Sequence, residues 1–243
     1  MIQDLRTIYR MIKPTKGADH EERLENFYSE QSTHYDDFRK KLLLGREHLF
    51  KQANEIQPDG VWVDFGAGTG SNLDFLSDEQ IKKYDKVHLV DLSESLLKVA
   101  QKKVTERVLS NVQTVQKNGA DFQPGGPVDL ISFSYSLTMI PQWYQMIHHA
   151  YDLLSPGGTI AVVDFYISEK YPLTGLKHHG SLTRHFWPIW FSYDNVFLSQ
   201  DHLPYLLNRF EKIHLFEGLN RLPYLPLGQV PYYSLIAQKG QSF

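Results

Sequence analysis

The run Val61-Trp62-Val63-Asp64-Phe65-Gly66-Ala67-Gly68-Thr69-Gly70 sets an acid and three glycines where an apolar segment stops. A strand ending in such a turn lets backbone N–H groups approach a ligand that a Cβ would hold away. A second acid, Asp91, closes the next apolar segment 27 residues after Asp64. A carboxylate at that place can accept hydrogen bonds from both hydroxyls of a ribose. The dinucleotide fingerprint wants its third glycine three residues after the second. Here that position is Ser71, and the third glycine comes early, at Gly70. The spacing argues against a nicotinamide-dependent oxidoreductase, which shares the strand, turn and helix.

The same spacing, with Asp64 two residues before Gly66, resembles motif I of the class I S-adenosylmethionine methyltransferases. The resemblance implies that Gly66, Ala67, Gly68 and Gly70 cradle the cofactor and that Asp91 holds its ribose, with Leu92 a further cofactor contact. Asp64 would fix the glycine loop or reach the methionine amino group through water. Asn118-Gly119-Ala120-Asp121-Phe122 falls where this family places an acid facing the adenine amino group, so Ala120, Asp121 and Phe122 are candidate adenine contacts. Tyr35 and Arg46 are candidates to close over the cofactor, since a guanidinium can hold a carboxylate through two parallel bonds. Ser134 and Tyr135 sit where the fourth strand leaves the sheet, the end at which open parallel sheets bind ligands. They are candidates to face the sulfonium and the acceptor. No Asp/Asn-Pro-Pro-aromatic motif follows that strand, unlike in methyltransferases of nucleic-acid amino groups.

These residues need a frame. Residues 19–57 carry Leu24, Phe27, Tyr28, Phe38, Leu42 and Leu49 at helical spacing, with Thr33 or Asp36 able to cap a second helix. After the turn Pro58-Asp59-Gly60, strands expected at 61–65, 87–90, 112–115, 128–133 and 159–165 alternate with helices expected from Ser71, at 94–108 and at 142–154. Such alternation calls for a parallel sheet covered on both faces. Two further strands are expected at 211–216 and 232–237. The expected fold is α/β: a Rossmann-like, doubly wound, seven-stranded, mostly parallel sheet with N-terminal helices and an aromatic-rich insertion after the fifth strand. One domain is expected, with a helical cap over 1–57, a cofactor-binding core over 58–165 and an acceptor-side segment over 166–243.

Composition narrows the function classes. A net charge of -3 gives no global reason to expect nucleic-acid binding. With no cysteine, disulfides and cysteine-based zinc sites or nucleophiles are excluded, and no metal site is expected. No run approaches the length of a membrane span, so a soluble, cytoplasmic protein is expected, at most peripheral at a membrane. Of the aromatic residues (Phe 14, Tyr 14, Trp 4), 15 lie from Tyr166 onward, densest in His185-Phe186-Trp187-Pro188-Ile189-Trp190-Phe191.

A second resemblance rests on further segments, of which the run ending at Pro141 and the aromatic segment are more specific than the glycine turn. Phe133-Ser134-Tyr135-Ser136-Leu137-Thr138-Met139-Ile140-Pro141, Leu44-Gly45-Arg46, and Arg184 through Phe191 with Asp194-Asn195-Val196 resemble the N-methyltransferase of betaine-lipid synthesis. Val230-Pro231-Tyr232-Tyr233 also fits, and the resemblance spans residues 25–238 or so. It implies trimethylation of the amino group of diacylglyceryl-homoserine, with a separate aminocarboxypropyl transferase as partner. Trp and Tyr suit an interface that is apolar on one side and wet on the other. Residues 166–243 hold seven Lys/Arg against five Asp/Glu, a slight lean toward anionic surfaces. Methyl transfer to an amine needs alignment and a neutral nitrogen. Tyr135 and His185 are the candidates for acceptor positioning, ahead of His148, His149, His178, His179 and Tyr166. The alternatives are methylation of another small amine or metabolite, and a non-catalytic binding module.

Overall fold

The computed structural model describes residues 43–193, 195–221 and 228–240. Seven strands form one sheet: β1 (Gly60–Phe65), β2 (Tyr84–Asp91), β3 (Val112–Gln116), β4 (Val128–Ser134), β5 (Leu154–Phe165), β6 (Glu211–Arg221) and β7 (Gln229–Gln238). Their order is β3-β2-β1-β4-β5-β7-β6. All pairs through β5 are parallel, and β7 runs antiparallel to both β5 and β6. The order reverses at β1, between β2 and β4, which is where an open α/β sheet offers a ligand crevice.

Helices α1 (Arg46–Ile56), α2 (Asp78–Ile81), α3 (Glu94–Glu106) and α5 (Ser181–Ser192) bury apolar faces against one side of the sheet. Leu49, Phe50, Ala100, Val104, Trp187 and Phe191 meet Trp62, Leu89, Leu130 and Val163 there. The other side is covered by α4 (Trp143–Leu153) and α6 (His202–Arg209), whose Met146, Ile147, Ala150, Leu203 and Leu206 pack on Val63, Ile131, Phe133 and Val162. Trp62 and Val63 go to opposite faces because strand side chains alternate. Asp64 therefore shares the α1 face, and that face decides its role.

Several boundaries differ from the sequence expectation. Ser71–Phe75 is a single 3-10 helix rather than the start of an α-helix, entered from Gly70 at φ 66°. Strand β5 begins at Leu154, because Ser155-Pro156-Gly157-Gly158 stays in the sheet: Gly157 N donates to Lys239 O, and Lys239 N to Gly158 O. Strand β6 runs through Gly218 to Arg221, pairing with β7 as far as Gln229. A Cβ at Gly218 would lie 2.5 Å from the Tyr232 ring, so this glycine makes room for the ring instead of ending the strand. The helices expected before residue 43, with Thr33 and Asp36, lie outside the described residues.

Candidate active site

At the carboxyl ends of β1, β2 and β4 lies a cavity of about 270 Å³. The loop after β1 supplies Gly66, Ala67 and Gly68; the end of β2 supplies Asp91 and Leu92; the turn after β3 supplies Lys117, Asn118 and Ala120. Ser134, Tyr135 and Ser136 form the wall at the end of β4, continued by Met139, Ile140 and Gln142. Arg46, the first residue of α1, completes the enclosure together with Leu43.

The glycine loop is held by its own amides. Gly66 N and Ala67 N donate to Val90 O at 2.9 and 3.2 Å, Gly68 N donates to Asp91 Oδ2 at 2.8 Å, and Gly70 N donates to Ala67 O. Of those amides, expected to face a ligand, the first three fasten the end of β1 to β2 and the Gly70 amide closes the loop on itself. What the glycines contribute is conformation and space. Gly66 has φ 71°, and a Cβ there would sit 2.4 Å from Ser136 Cβ. Gly68 has φ 55°, and a Cβ there would meet only Leu96 Cδ1, at 3.8 Å. Gly70, at φ 66°, does not line the cavity; it fits close against Ala100 and Leu89 and turns the chain into the 3-10 helix.

Asp91 presents a carboxylate to the cavity while locking two loops. Its Oδ1 accepts from Ser93 N at 2.9 Å, and its Oδ2 accepts from Gly68 N. A carboxylate on a cavity wall can accept hydrogen bonds from a diol.

Asp64 is fully buried and does not line the cavity. It accepts from Asn72 Nδ2 at 2.8 Å and from Ser132 Oγ at 2.6 Å, and Ser132 Oγ in turn accepts from Trp62 Nε1 at 2.8 Å. Asn72 Oδ1 accepts from Arg46 Nη2 at 2.6 Å, and Arg46 also reaches Ser71 Oγ and Ser134 Oγ. One amide thus bridges a buried guanidinium and a buried carboxylate. Burial lifts the Asp64 carboxyl to about 6, against the pull of the Ser132 and Asn72 hydrogen bonds and the Arg46 charge. Through these bonds Asp64 ties the 3-10 helix that follows the glycine loop to β4. Arg46, stacked over the Phe75 ring at 5.0 Å, is a positive charge on the cavity wall.

Tyr135 is buried at φ 54°, a conformation a bulky side chain adopts only under constraint. The constraint is visible: Tyr135 N donates to Val163 O at 2.7 Å, and its hydroxyl donates to Leu44 O at 2.7 Å. Burial and the nearby Asp164 raise the phenol well above its ordinary value. Such a phenol cannot act as a base; it ties the loop before α1 to the end of β4.

The remaining candidates separate. Ala120 and Ser134 line the cavity, whereas Asp121 is exposed and outside it. Phe122 turns inward, edge-on to Phe65 and His88 at 6.0 and 5.1 Å, so it packs beneath the site rather than walling it. His185 lies on the exposed face of α5, its Nδ1 2.6 Å from Ser181 O, and does not join the cavity. The helical phase that buries Trp187 and Phe191 turns it outward. Tyr35 lies outside the described residues.

Two contributors escaped the sequence reading. Asn72 is the bridge just described. Asp164, fully buried at the end of β5, accepts from Thr138 Oγ1 at 2.8 Å and Thr138 N at 3.1 Å, and so fixes the loop that carries Met139 and Ile140. Burial lifts its carboxyl to about 7 despite these bonds. A polar residue closing an apolar strand was the only sequence signal for it. Among the described residues no cluster of His, Cys, Asp or Glu could hold a metal.

Residues 63–160 match a methyltransferase-domain family. That segment holds the glycine loop, Asp91 and the β4 wall, and over it the chain is similar to methyltransferase domains. Among curated proteins, demethylmenaquinone methyltransferase of Listeria monocytogenes is 31% identical over 103 residues, 42% of this chain and 43% of that protein. The ubiquinone/menaquinone biosynthesis C-methyltransferase UbiE of Hydrogenovibrio crunogenus is 26% identical over 149 residues, 59% of this chain and 58% of that one. The chain thus spans about half the length of these relatives. Among solved structures, the [4+2]-cyclase SpnF superposes with a TM-score of 0.67 at 14% identity, covering 95% of this chain and 100% of that chain. The N-methyltransferase NodS of Bradyrhizobium japonicum, solved with S-adenosyl-L-homocysteine, gives 0.61 at 10% identity, covering 96% and 97%. These likenesses establish the fold: a Rossmann-like sheet. That one of the structures is a cyclase shows that the fold alone does not fix the chemistry.

Proposed function

We propose that the chain is an S-adenosylmethionine-dependent N-methyltransferase whose acceptor is the amino group of a lipid headgroup of the diacylglyceryl-homoserine kind. The observation that carries this reading is where the more specific segments meet. The run Phe133–Pro141 forms the end of β4 and the loop walling the cavity, while Arg184–Phe191 lies in α5. Tyr135 touches Phe165 at 4.6 Å between ring centroids, and Phe165 touches Phe191 at 5.0 Å. Phe197 N donates to Thr138 O at 2.7 Å. Of the segments that resemble betaine-lipid N-methyltransferases, the run Phe133–Pro141 thus walls the cavity and α5 packs behind that wall through Phe165.

The cavity residues fit the cofactor. Asp91 would take the ribose hydroxyls, the Asn118–Ala120 turn and Leu92 the adenine, and Arg46 the methionyl carboxylate. When bound, the cofactor supplies a sulfonium methyl group, so that a C–S bond breaks as a C–N bond forms and the electron pair leaves with sulfur. The chain's part is alignment. The β4 wall, set by the Tyr135 anchors and by Asp164 through Thr138, fixes where an acceptor nitrogen can stand, and proximity supplies much of the acceleration. Transfer needs the amine neutral, with a free lone pair on nitrogen, and among the described residues no histidine lines the cavity.

Incubation with methyl-labelled S-adenosylmethionine and vesicles bearing diacylglyceryl-homoserine tests the reading. Label is expected in the lipid headgroup, and label only in soluble amines overturns it. The names of the sequence relatives favour a second reading, C-methylation of a quinone ring. Demethylmenaquinone in a parallel reaction decides between the two, since label in the ring and none in the headgroup selects the second.

A further inference from the structure

Arg46 opens α1, yet no side chain caps the helix there. Gly45, the residue before it, has φ 82°, and its carbonyl accepts the first helical hydrogen bond, from Leu49 N at 3.0 Å. The tripeptide Leu44-Gly45-Arg46 is seated instead by two tyrosines from other elements. Tyr135 donates its hydroxyl to Leu44 O at 2.7 Å. Tyr232, from β7, lies against Gly45: a Cβ on that glycine would come 2.8 Å from Tyr232 Cε2 and 3.5 Å from Cδ2.

The Tyr232 ring has no room on its other edge. A Cβ on Gly218 would come 2.5 Å from Tyr232 Cε1 and 2.6 Å from Cζ, so the ring is wedged edgewise between two glycines. Its backbone is paired on both sides, with Phe165 of β5 and Gly218 of β6. The side chain is buried in the same apolar cluster as Tyr135 and Phe165. Interiors pack too closely to absorb a displaced ring without moving a neighbour. Gly218 sits within the sheet and Gly45 in the turn before α1, so any displacement passes to Gly45 and on to Arg46. The Arg46 guanidinium reaches Ser71 Oγ, Asn72 Oδ1 and Ser134 Oγ, and a side chain tied to several fixed partners tolerates little movement of its own backbone.

We propose that Tyr232 is a positioning residue for the cofactor: acting through Gly45, it sets the start of α1 and with it the guanidinium that takes the methionyl carboxylate. The inference rests on the reading of Arg46 given above. It deepens that reading by bringing the β6–β7 hairpin, whose described residues do not line the cavity, into cofactor binding.

Two ligands separate positioning from packing alone. S-adenosylhomocysteine carries the methionyl carboxylate, and 5′-methylthioadenosine is an adenosyl thioether without it. Titration calorimetry with both is run on the wild type, Arg46→Met, Tyr232→Phe, Tyr232→Leu and Gly218→Ala. Tyr232→Leu and Arg46→Met are each expected to weaken S-adenosylhomocysteine about tenfold or more, as for a lost charge-assisted contact, and 5′-methylthioadenosine less than about twofold. Tyr232→Phe keeps the ring edge and is expected to match the wild type for both ligands within about twofold. Added to Arg46→Met, Tyr232→Leu is expected to weaken S-adenosylhomocysteine by less than about twofold more, because both changes act on one interaction. Loss of a buried ring also lowers the melting temperature, but that fall does not discriminate between ligands. Gly218→Ala keeps every core side chain and presses the ring toward Gly45, so it is expected to give the same ligand pattern, and it carries the test if Tyr232→Leu does not fold. Equal losses for the two ligands, or none, in Tyr232→Leu and Gly218→Ala, beside a selective loss in Arg46→Met, overturn the proposal and keep the reading of Arg46. Equal losses in Arg46→Met itself remove that reading and the proposal with it.

Discussion

Asp64 and Asp164 are two fully buried carboxylates with different companions: Asp64 faces an arginine across one amide, and Asp164 accepts from the neutral donors Thr138 Oγ1, Thr138 N and Phe165 N. Both are raised from 3.8, to about 6 and about 7. An acid whose folded pKa exceeds its unfolded one favours the fold most when protonated. Its contribution is whole below about pH 4 and is lost as the pH rises through about 6 for Asp64 and about 7 for Asp164. The melting temperature should therefore fall between pH 5 and pH 8, and Asp164→Asn should flatten the upper part of that fall; scanning calorimetry across the range checks it. A wild type equally stable at both ends would show that these acids do not carry the strain of burial. Gly66→Ala should cost more than about 1 kcal/mol, from the positive φ together with the Ser136 contact, and weaken cofactor binding in step. Denaturant titration beside a binding isotherm reads both. At this scale the sequence was clear where a residue's role is local. Gly66, Gly68 and Asp91 announce themselves by spacing along one turn. Asn72 and Asp164 do not, because each acts through partners from other elements: Arg46 lies 26 residues from Asn72, and Asp164 lies 26 from Thr138.

Among the elements, the parallel core was legible from alternating apolar runs, and every expected strand from β1 to β5 is present. The errors share a cause. Pro156-Gly157 and Gly218 carry turn chemistry, yet pairing with β7 holds both segments in the sheet. Pairing with a distant strand is invisible to local propensity. The reading of α5 failed differently. Its aromatic density was evident, but which side chains face inward depends on phase, and phase sent His185 to solvent. His185→Ala should therefore leave methyl-transfer rates within about twofold of wild type in a label-incorporation assay, as expected for an exposed residue away from buried contacts. A large loss of kcat would place the imidazole at the acceptor after all. Gly45, at φ 82° before α1, is the corresponding constraint at the entrance: a Cβ would come within 2.8 Å of the Tyr232 ring. Gly45→Ala should shift α1 and, through Arg46, reduce cofactor affinity more than overall stability, read by calorimetry and thermal melting on the same sample.

At the scale of the molecule, a cavity lies at the switch point of a twisted sheet, and α5 packs behind its β4 wall. Among the described residues no helix is long and apolar enough to cross a membrane. The account rests on that cavity holding an adenosyl group, with Asp91 on its sugar. Titration calorimetry with S-adenosylhomocysteine tests this most directly, run on the wild type, on Asp91→Ala and on Asp121→Ala. One ligand per chain is expected for the wild type, with affinity weaker by about 1–3 kcal/mol in Asp91→Ala, as for a lost buried charged hydrogen bond, and unchanged in Asp121→Ala. No heat of binding from the wild type, or equal affinity with and without the Asp91 carboxylate, would contradict it.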